Sequence, residues 1–184
     1  MARMPAPLTS AATNDPYHAI PALYDLEHDE IVEDLGFYRT WAQRHPAAVL
    51  DLGCGSGRLF RAFLDGGAQR IVGVDGSPAL LERALARVEV DDALRQAHAE
   101  GRIELATGDV RTVSRPDRFS LVVLAGVIAH LDGPEEALRA LTTAGRLIRP
   151  DGVLIVDQLG PGGLPADDLP LSLDWERRLG DRRV

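Results

Sequence analysis

An acidic residue followed by alternating glycines is the feature of this sequence best suited to chemistry. It lies in the segment VLDLGCGSGRL, where Asp51 precedes Gly53, Gly55 and Gly57. Glycine adopts positive φ angles and lets a ligand approach the backbone closely, and a helix that follows such a loop offers free N–H groups at its start. We therefore predict that this segment binds a ligand.

The spacing of the glycines distinguishes between ligands. A dinucleotide fingerprint that starts at Gly53 requires glycine at position 58, where Arg58 stands, and no G-K-[ST] follows to form a P-loop. A pyrophosphate would also be repelled by Asp51, by roughly 4 kcal/mol for two unit charges about 4 Å apart at an effective dielectric of about 20. The same carboxylate suits a cationic amino group. A nicotinamide-dependent oxidoreductase remains a less favoured alternative.

Further candidates follow the next apolar runs. Asp75 ends IVGVD, where an acid can accept hydrogen bonds from both hydroxyls of a ribose; a helix-capping acid is the less favoured interpretation. Asp109 could accept a hydrogen bond from an exocyclic amine while Val110 packs on a flat base, or Asp109 could be a turn residue. The small residues Ala125 and Gly126 leave room after the fourth run.

Strands and helices must alternate to position these residues. The predicted strands are 48–52, 71–74, 103–106, 119–125 and 153–156, and the predicted helices begin near 57, 78 and 134. Ser77 is a good N-cap residue and Pro78 fits the first helical position. This alternation predicts an α/β protein with a parallel sheet, whose ligands bind beyond the carboxyl ends of the strands. The candidates fall at those ends.

Composition limits the partners. The chain has 184 residues, a formal net charge of −8 and one cysteine, Cys54. We expect a cytoplasmic protein without disulfides that does not bind nucleic acid, because an acidic surface repels phosphate backbones. No apolar run approaches the roughly 20 residues that span a bilayer, so we expect no membrane segment. The five histidines show no ligand spacing, so we expect no metal site.

Taken together, the motifs resemble those of the class I S-adenosylmethionine-dependent methyltransferases of the small-molecule type. The resemblance covers roughly residues 47–158 and rests on DLGCGSG and on LIRPDGVLIV. It implies a Rossmann-like, mostly parallel sheet with helices on both faces, and S-adenosyl-L-methionine as cofactor. The cofactor-binding residues that we predict in this core are Asp51, Gly53, Cys54, Gly55, Gly57, Asp75, Gly76, Ser77, Asp109, Val110, Ala125 and Gly126.

The resemblance also assigns roles. It implies that Asp51 and the glycine loop hold the methionine portion and that Asp75 binds the ribose. It implies that Asp109 and Val110 frame the adenine, while the backbone near residues 125–126 helps to hold the amino-acid end.

The segment Tyr24–Ala42 is similar to the lid of small-molecule members, in which aromatic residues close over the cofactor. Tyr17 and Tyr24 are our candidates for that role. We predict that residues 1–46 form an N-terminal tail and helical lid, residues 47–158 the cofactor-binding core and residues 159–184 an incomplete C-terminal segment. Residues 1–16 are interpreted as a loose tail, and the acidic run Glu27–Asp34 as a solvated helix face.

The resemblance implies methyl transfer to a small-molecule N, O or C acceptor by in-line displacement. His130 could be a catalytic base, although members of the family also carry histidine there without a chemical role. A second hypothesis is a non-catalytic cofactor-binding protein, or a truncated methyltransferase domain that needs a partner. Its motivation is that family members add an antiparallel strand pair after the fifth strand, which we expect to be lacking here. The exposed edge of that strand would then bind a partner strand or a second copy of the chain.

Overall fold

In the computed structural model of the chain, the described residues are 15, 17–157 and the backbone of two short strands at 178–179 and 182–183. The helices are α1 (Pro21–His28), α2 (Leu35–Arg44), α3 (Phe60–Asp65), α4 (Pro78–Val90), α5 (Asp92–Ala99) and α6 (Pro134–Leu147). The strands are β1 (Val49–Leu52), β2 (Ile71–Asp75), β3 (Ile103–Thr107), β4 (Phe119–Leu124), β5 (Ile148–Val156), β6 (Arg178–Leu179) and β7 (Arg182–Arg183).

Five strands form one parallel sheet in the order β3-β2-β1-β4-β5. The chain builds outward from β1 to β3 and then returns to β4 on the other side of β1, so the strand order reverses between β1 and β4. Ligands of open α/β sheets bind beyond the carboxyl ends of the strands at such a switch point. The predicted Rossmann-like fold is confirmed. β6 and β7 pair with each other in a separate antiparallel sheet.

Side chains alternate between the two faces of the sheet, and helices cover both. One face packs against helices α2 to α5 through Val49, Ile71, Ile103, Leu121, Phe60, Phe63, Leu81 and Leu94. The other packs against α6 through Leu50, Leu52, Val72, Val74, Val122, Leu124, Ala140, Ala144 and Leu147. Because successive residues of a strand point to opposite faces, the side chain of Asp51 shares the first face with that of Val49.

The helices differ from the predicted ones in two places. The helix expected from Gly57 begins at Phe60, because Gly57 has a φ angle of +76° and belongs to the loop. α5 was not predicted, although Asp91 marks its start by accepting hydrogen bonds from the N–H groups of Ala93 and Leu94.

The fifth strand is also longer than predicted and begins at Ile148, with an irregular register against Phe119 and Leu121. Within residues 17–157, β5 pairs with β4 alone, so its outer edge is free in that part of the chain. The predicted partner at this edge stays a prediction. The segment 159–184 lies outside the described residues, apart from the backbone of β6 and β7.

Candidate functional site

The glycine loop between β1 and α3 is held in shape by β2. The N–H groups of Gly53 and Cys54 donate to the carbonyl oxygen of Val74 at 2.7 and 3.0 Å. Gly53, Gly55 and Gly57 have φ angles of +80°, +54° and +76°, which other residues adopt only with strain. The alternation of glycines therefore has a backbone cause, because every second residue of this turn is left-handed.

Asp75, the last residue of β2, joins this loop to α4. One carboxylate oxygen, Oδ2, accepts the N–H of Gly55 at 2.8 Å, and Oδ1 accepts the N–H of Ser77 at 2.8 Å. Burial raises the pKa of Asp75, while these two backbone donors oppose the rise. A carboxylate oxygen accepts more than one hydrogen bond, so Asp75 keeps capacity for further donors.

Asp51 lies one strand away from Asp75 on the same face of the sheet. Its register partner is Gly73, two residues before Asp75. Asp51 is 1% exposed, and its Oδ1 atom has no hydrogen-bond partner among the described residues. Burial, and then the charge of Asp75, raise the pKa of Asp51 to about 7, against an opposing effect of Arg58. An unpartnered carboxylate oxygen in the interior is the kind of group that a ligand satisfies.

Two tyrosines of the N-terminal region lie over the loop. The hydroxyl of Tyr24, in α1, is so close to Gly55 that a Cβ atom there would collide with it. The ring of Tyr17 packs edge-on against that of Tyr24, with 5.3 Å between centroids. Burial, and then the charge of Asp75, raise the pKa of each tyrosine, so both hydroxyls are neutral and lie within electrostatic reach of Asp75.

His130 also lies at this edge of the sheet, at the end of a short 3-10 helix (Ile128–His130) after β4. Its Nδ1 atom is 3.2 Å from the hydroxyl of Tyr17. Burial has the largest effect on the pKa of Asp75, and His130 acts on the same group in the opposite direction. The structure thus brings His130, Tyr17, Tyr24 and the two carboxylates to one side of the molecule.

Asp109 follows β3 and is held by an arginine. Its carboxylate accepts hydrogen bonds from Nε of Arg111 at 2.8 Å, and Arg111 also pairs with Glu136. The guanidinium of Arg111 lowers the pKa of Asp109. Asp109 also accepts the N–H of Arg111, as a turn residue does, and Val110 beside it is buried in the core.

Open space flanks the glycine loop on two sides. A Cβ atom at Gly126 would meet nothing within 4 Å, and one at Gly76 would meet only the carbonyl oxygen of Gly108, at 4.0 Å. Gly126 also has a φ angle of +68°, and Ala125 before it is half-buried. The chain just beyond the carboxyl ends of β2 and β4 is therefore uncrowded at Gly76 and Gly126.

Cys54 is buried, and burial raises the pKa of its thiol, so the side chain is an uncharged packing group. Within residues 17–157 and at residue 15, no three histidine, cysteine or acidic side chains converge as a metal-binding set. In the same part of the chain, no helix has the length and apolar character needed to cross a membrane.

Asp15 belongs to the segment predicted to be a loose tail, but two hydrogen bonds hold it beside the site, so that prediction is wrong for this residue. Its carboxylate accepts the N–H of Tyr17 at 2.9 Å and the hydroxyl of Ser77 at 2.7 Å. The same Ser77 oxygen accepts the N–H of Leu80, which confirms its predicted N-cap position. Asp15 thereby connects Tyr17 to the start of α4. Residues 1–14 lie outside the described residues.

Arg58, which breaks the dinucleotide pattern in the sequence, forms an ion pair in the structure. Its guanidinium donates two hydrogen bonds to the carboxylate of Asp34, both 2.7 Å long, and a third to the carbonyl oxygen of Ile31 at 2.7 Å. Asp34 is the residue directly before α2, so Arg58 joins the glycine loop to the N-terminal region. Of the acidic run Glu27–Asp34, the residue Asp34 is half-buried and paired with Arg58, so the interpretation as a solvated face is wrong for Asp34. The other four acids of the run are exposed, although the helix α1 already ends at His28.

Two arginines of α4 make a similar connection. Arg83 pairs with Asp25 of α1, and Arg87 pairs with Asp29 at 2.6 Å. Arg87 also donates to the carbonyl oxygen of Ser56, within the glycine loop, at 2.9 Å. We call Arg58, Arg83 and Arg87 the lid arginines. The clustered acidic residues between positions 25 and 34 repel one another and therefore indicate that arginines elsewhere in the chain pair with them. The sequence does not show which pairs form.

A parallel sheet with its switch point at β1 and β4, a left-handed glycine loop and acids at the ends of neighbouring strands define a Rossmann-like cofactor-binding domain. Comparison with known families identifies it further. The family model described as "Methyltransferase domain" matches residues 49–152, more than half of the chain. The chain belongs to this methyltransferase family, as its motifs predicted.

Individual relatives agree with this membership. The chain is 29% identical over 143 residues to a trans-aconitate 2-methyltransferase of Streptomyces avermitilis, covering 75% of this chain and 50% of that protein. It is 32% identical over 145 residues to a ribosomal protein L11 methyltransferase of Pseudoalteromonas atlantica, covering 73% and 45%. The solved structure of the glycopeptide N-methyltransferase MtfA with S-adenosyl-L-methionine superposes with a TM-score of 0.57 at 25% identity, covering 70% and 51%. The chain thus spans about half the length of the curated relatives it matches.

Proposed function

We propose that this chain binds S-adenosyl-L-methionine at the carboxyl edge of β1 and β2 and transfers its methyl group to a small-molecule acceptor. The observation that carries the proposal is the pair Asp51 and Asp75. Two carboxylates flank one glycine loop, and the buried Oδ1 atom of Asp51 lacks a hydrogen-bond donor in the described chain. This arrangement fits a ligand with hydroxyl groups and a cation, and it does not fit a phosphate.

The residues present fit the parts of that cofactor. Asp51 with the loop from Gly53 to Gly57 would hold the cationic methionine portion, and Asp75 would accept the ribose hydroxyls. Gly76 and Ser77 would border the ribose, and Asp109 and Val110 would frame the adenine. Ala125 and Gly126 would border the amino-acid end, and the backbone of Cys54 belongs to the same loop.

When bound, the cofactor supplies a methyl group on a positively charged sulfur, which a nucleophile accepts by in-line displacement. The chain's contribution is to position the reactants and exclude water. Tyr24 and Tyr17 cover the loop with neutral hydroxyls, and residues 17–46 would act as the lid of the core formed by residues 47–158. His130 would accept a proton from an acceptor hydroxyl or ammonium, and the 3.2 Å distance between its Nδ1 atom and the hydroxyl of Tyr17 supports this role.

Charge and relatives support a small-molecule acceptor. The net charge of −8 disfavours nucleic acid. Trans-aconitate 2-methyltransferase is named for a small carboxylic acid, and MtfA is described as a glycopeptide methyltransferase. The L11 methyltransferase acts on a protein by its name, so a protein acceptor belongs in any acceptor panel.

Calorimetry tests the cofactor assignment. Wild-type protein should bind S-adenosylmethionine and S-adenosylhomocysteine, and Asp75→Asn should weaken binding at least about tenfold, because it removes the charge that accepts the ribose hydroxyls. Asp117→Asn is the matched control, since Asp117 pairs with Arg70 and Arg115 just before β4, at the opposite end of the sheet. Equal affinity in Asp75→Asn and wild type would refute the ribose assignment.

Turnover is a separate measurement. Methyl transfer to at least one member of a panel of amines, hydroxyls, carboxylates and a ribosomal protein would support the enzyme. Cofactor binding without turnover on the whole panel would favour the non-catalytic alternative.

A further inference from the structure

We propose that the free protein carries a proton on Asp51, and that binding of a cationic cofactor at the glycine loop releases this proton to solvent. The inference rests on the proposed function and deepens it, because it states how the same site responds to the charge of its ligand. In the free site, Asp51 is then neutral and Asp75 alone carries a negative charge.

The two carboxylates of the site differ in their hydrogen bonds. Asp75 accepts two backbone N–H groups, from Gly55 and Ser77, and backbone donors favour the ionised form of a carboxylate. Asp51 receives no such donor at its buried Oδ1 atom among the described residues. Two adjacent buried carboxylates do not both ionise readily, so the charge stays on Asp75 and the proton on Asp51.

The groups that face Asp51 reinforce this division. They are Asp75 from β2, Cys54 from the loop, Tyr24 from α1, Tyr38 from α2 and Arg58 beyond the loop. The tyrosines and the thiol are neutral, since burial raises the pKa of each. Arg58 is a cation, but it donates two hydrogen bonds to Asp34 and one to the carbonyl oxygen of Ile31. Burial accordingly raises the pKa of Asp51 to about 7, close to the pH of a cell.

The exchange balances in charge. The carboxyl of Asp51 loses its O–H proton to water as the ammonium group of the ligand arrives, and the resulting carboxylate accepts hydrogen bonds from that ammonium. No bond of the ligand is broken and no other reactant is needed. Counting the two aspartic acids and the ammonium group alone, the net charge is −1 before and after the proton leaves, so the two carboxylates are not both ionised without a cation beside them.

Proton release can be counted directly. S-adenosylhomocysteine is a suitable probe because it has the ammonium group without the sulfonium and is not turned over. Its binding to wild-type protein is measured by calorimetry in two buffers of different ionisation enthalpy at the same pH. We expect release of about one proton per ligand at about pH 6 and nearly none at about pH 8.5, with affinity falling about fivefold from about pH 7 to 6 and about tenfold per unit below.

Variants identify the source of the proton. Asp51→Asn should release no proton and lose the pH dependence, whereas Asp65→Asn, which changes an exposed acid at the end of α3, should behave as wild type. His130 also lies near Asp75, so His130→Asn is a second control and should retain the release. If Asp51→Asn fails to fold or bind, the wild-type proton count decides alone.

The inference is overturned if wild-type protein binds the probe without releasing a proton at any pH, or if Asp51→Asn releases it as wild type does. Absence of binding at every pH would instead refute the proposed function.

Discussion

At the scale of the residue, a different neighbouring residue fills the space beside each glycine of the loop. A Cβ atom added to these glycines would collide with Val127 at Gly53, Tyr24 at Gly55 and Phe60 at Gly57. One collision is with the segment after β4, one with α1 and one with α3. The loop is therefore the point at which these three parts of the molecule meet, and its glycines are required by packing as well as by φ.

Gly55→Ala tests this double requirement. It should lower the free energy of unfolding by about 2–4 kcal/mol, because a left-handed alanine is strained and its methyl group displaces Tyr24. Gly67→Ala is the control, since Gly67 has a φ angle of +85° but nothing within 4 Å of an added Cβ. That variant should lose about 1–2 kcal/mol in chemical denaturation, from strain alone. Equal losses would contradict the proposed contact with Tyr24.

The sequence was informative about residues that act through the backbone and less so about those that act through pairing. The glycine loop, Asp75 and Ser77 could be located because glycine spacing and capping have local rules. The orphaned Oδ1 of Asp51 and the partners of Arg58 could not, because both depend on elements brought together only in the folded chain. Asp109 shows the same limit, since its pairing with Arg111 was not expected.

At the scale of the element, the lid arginines connect the N-terminal helices to the cofactor loop. Arg58 holds the chain before α2, while Arg83 and Arg87 hold α1 and the turn after it. Arg87 also binds the loop itself through the carbonyl of Ser56. These contacts connect α1 to the glycine loop, although the two are not adjacent in the sequence.

A double-mutant cycle measures the strength of this link. Arg58→Ala, Asp34→Ala and the double variant should give a coupling of about 1 kcal/mol in unfolding free energy, because a two-fold hydrogen-bonded pair at side-chain exposures of 16% and 26% is only partly screened. The control cycle is Arg61 with Asp65, a pair exposed at 51% and 45%. Its coupling should be about 0.3 kcal/mol. A coupling no larger for Arg58 would contradict a role in holding the lid.

At the same scale, element types were predicted better than their limits. The five strands follow from short apolar runs bounded by turn residues. The predicted start of α3 is too early, because Gly57 has a φ angle of +76° and therefore belongs to the loop. α5 was missed because its apolar residues are few, with Leu94 and Ala97 buried, and its cap at Asp91 directly follows α4.

At the scale of the whole molecule, Asp51 makes stability depend on pH. Its pKa in the folded protein is raised to about 7 from an ordinary value of 3.8. Between these values the folded chain binds more protons than the unfolded chain, so stability falls as pH rises through this window and the full loss is reached above about pH 7. The protein therefore gives up stability in order to keep a carboxylate where the proposed ligand needs one.

Asp51→Asn should remove that dependence. The difference in unfolding free energy between this variant and wild type should grow by roughly 3–4 kcal/mol from about pH 4 to about pH 8, in favour of the variant. Denaturant titrations across this range provide the measurement, with Asp65→Asn as the control that should track wild type. A difference that stays constant with pH would show that Asp51 is ionised in the free protein.

The position of Tyr24 has a kinetic consequence. Its phenol rests on Gly55, on the surface that the proposed nucleoside would have to reach, and its helix is tied down by arginines. Binding and release of the nucleoside would therefore require α1 to move away from the loop, however fast the nucleoside diffuses. The residence time of the product nucleoside would then depend on how often the ion pairs of the three lid arginines dissociate. The maximum turnover rate would be limited by this opening rather than by methyl transfer.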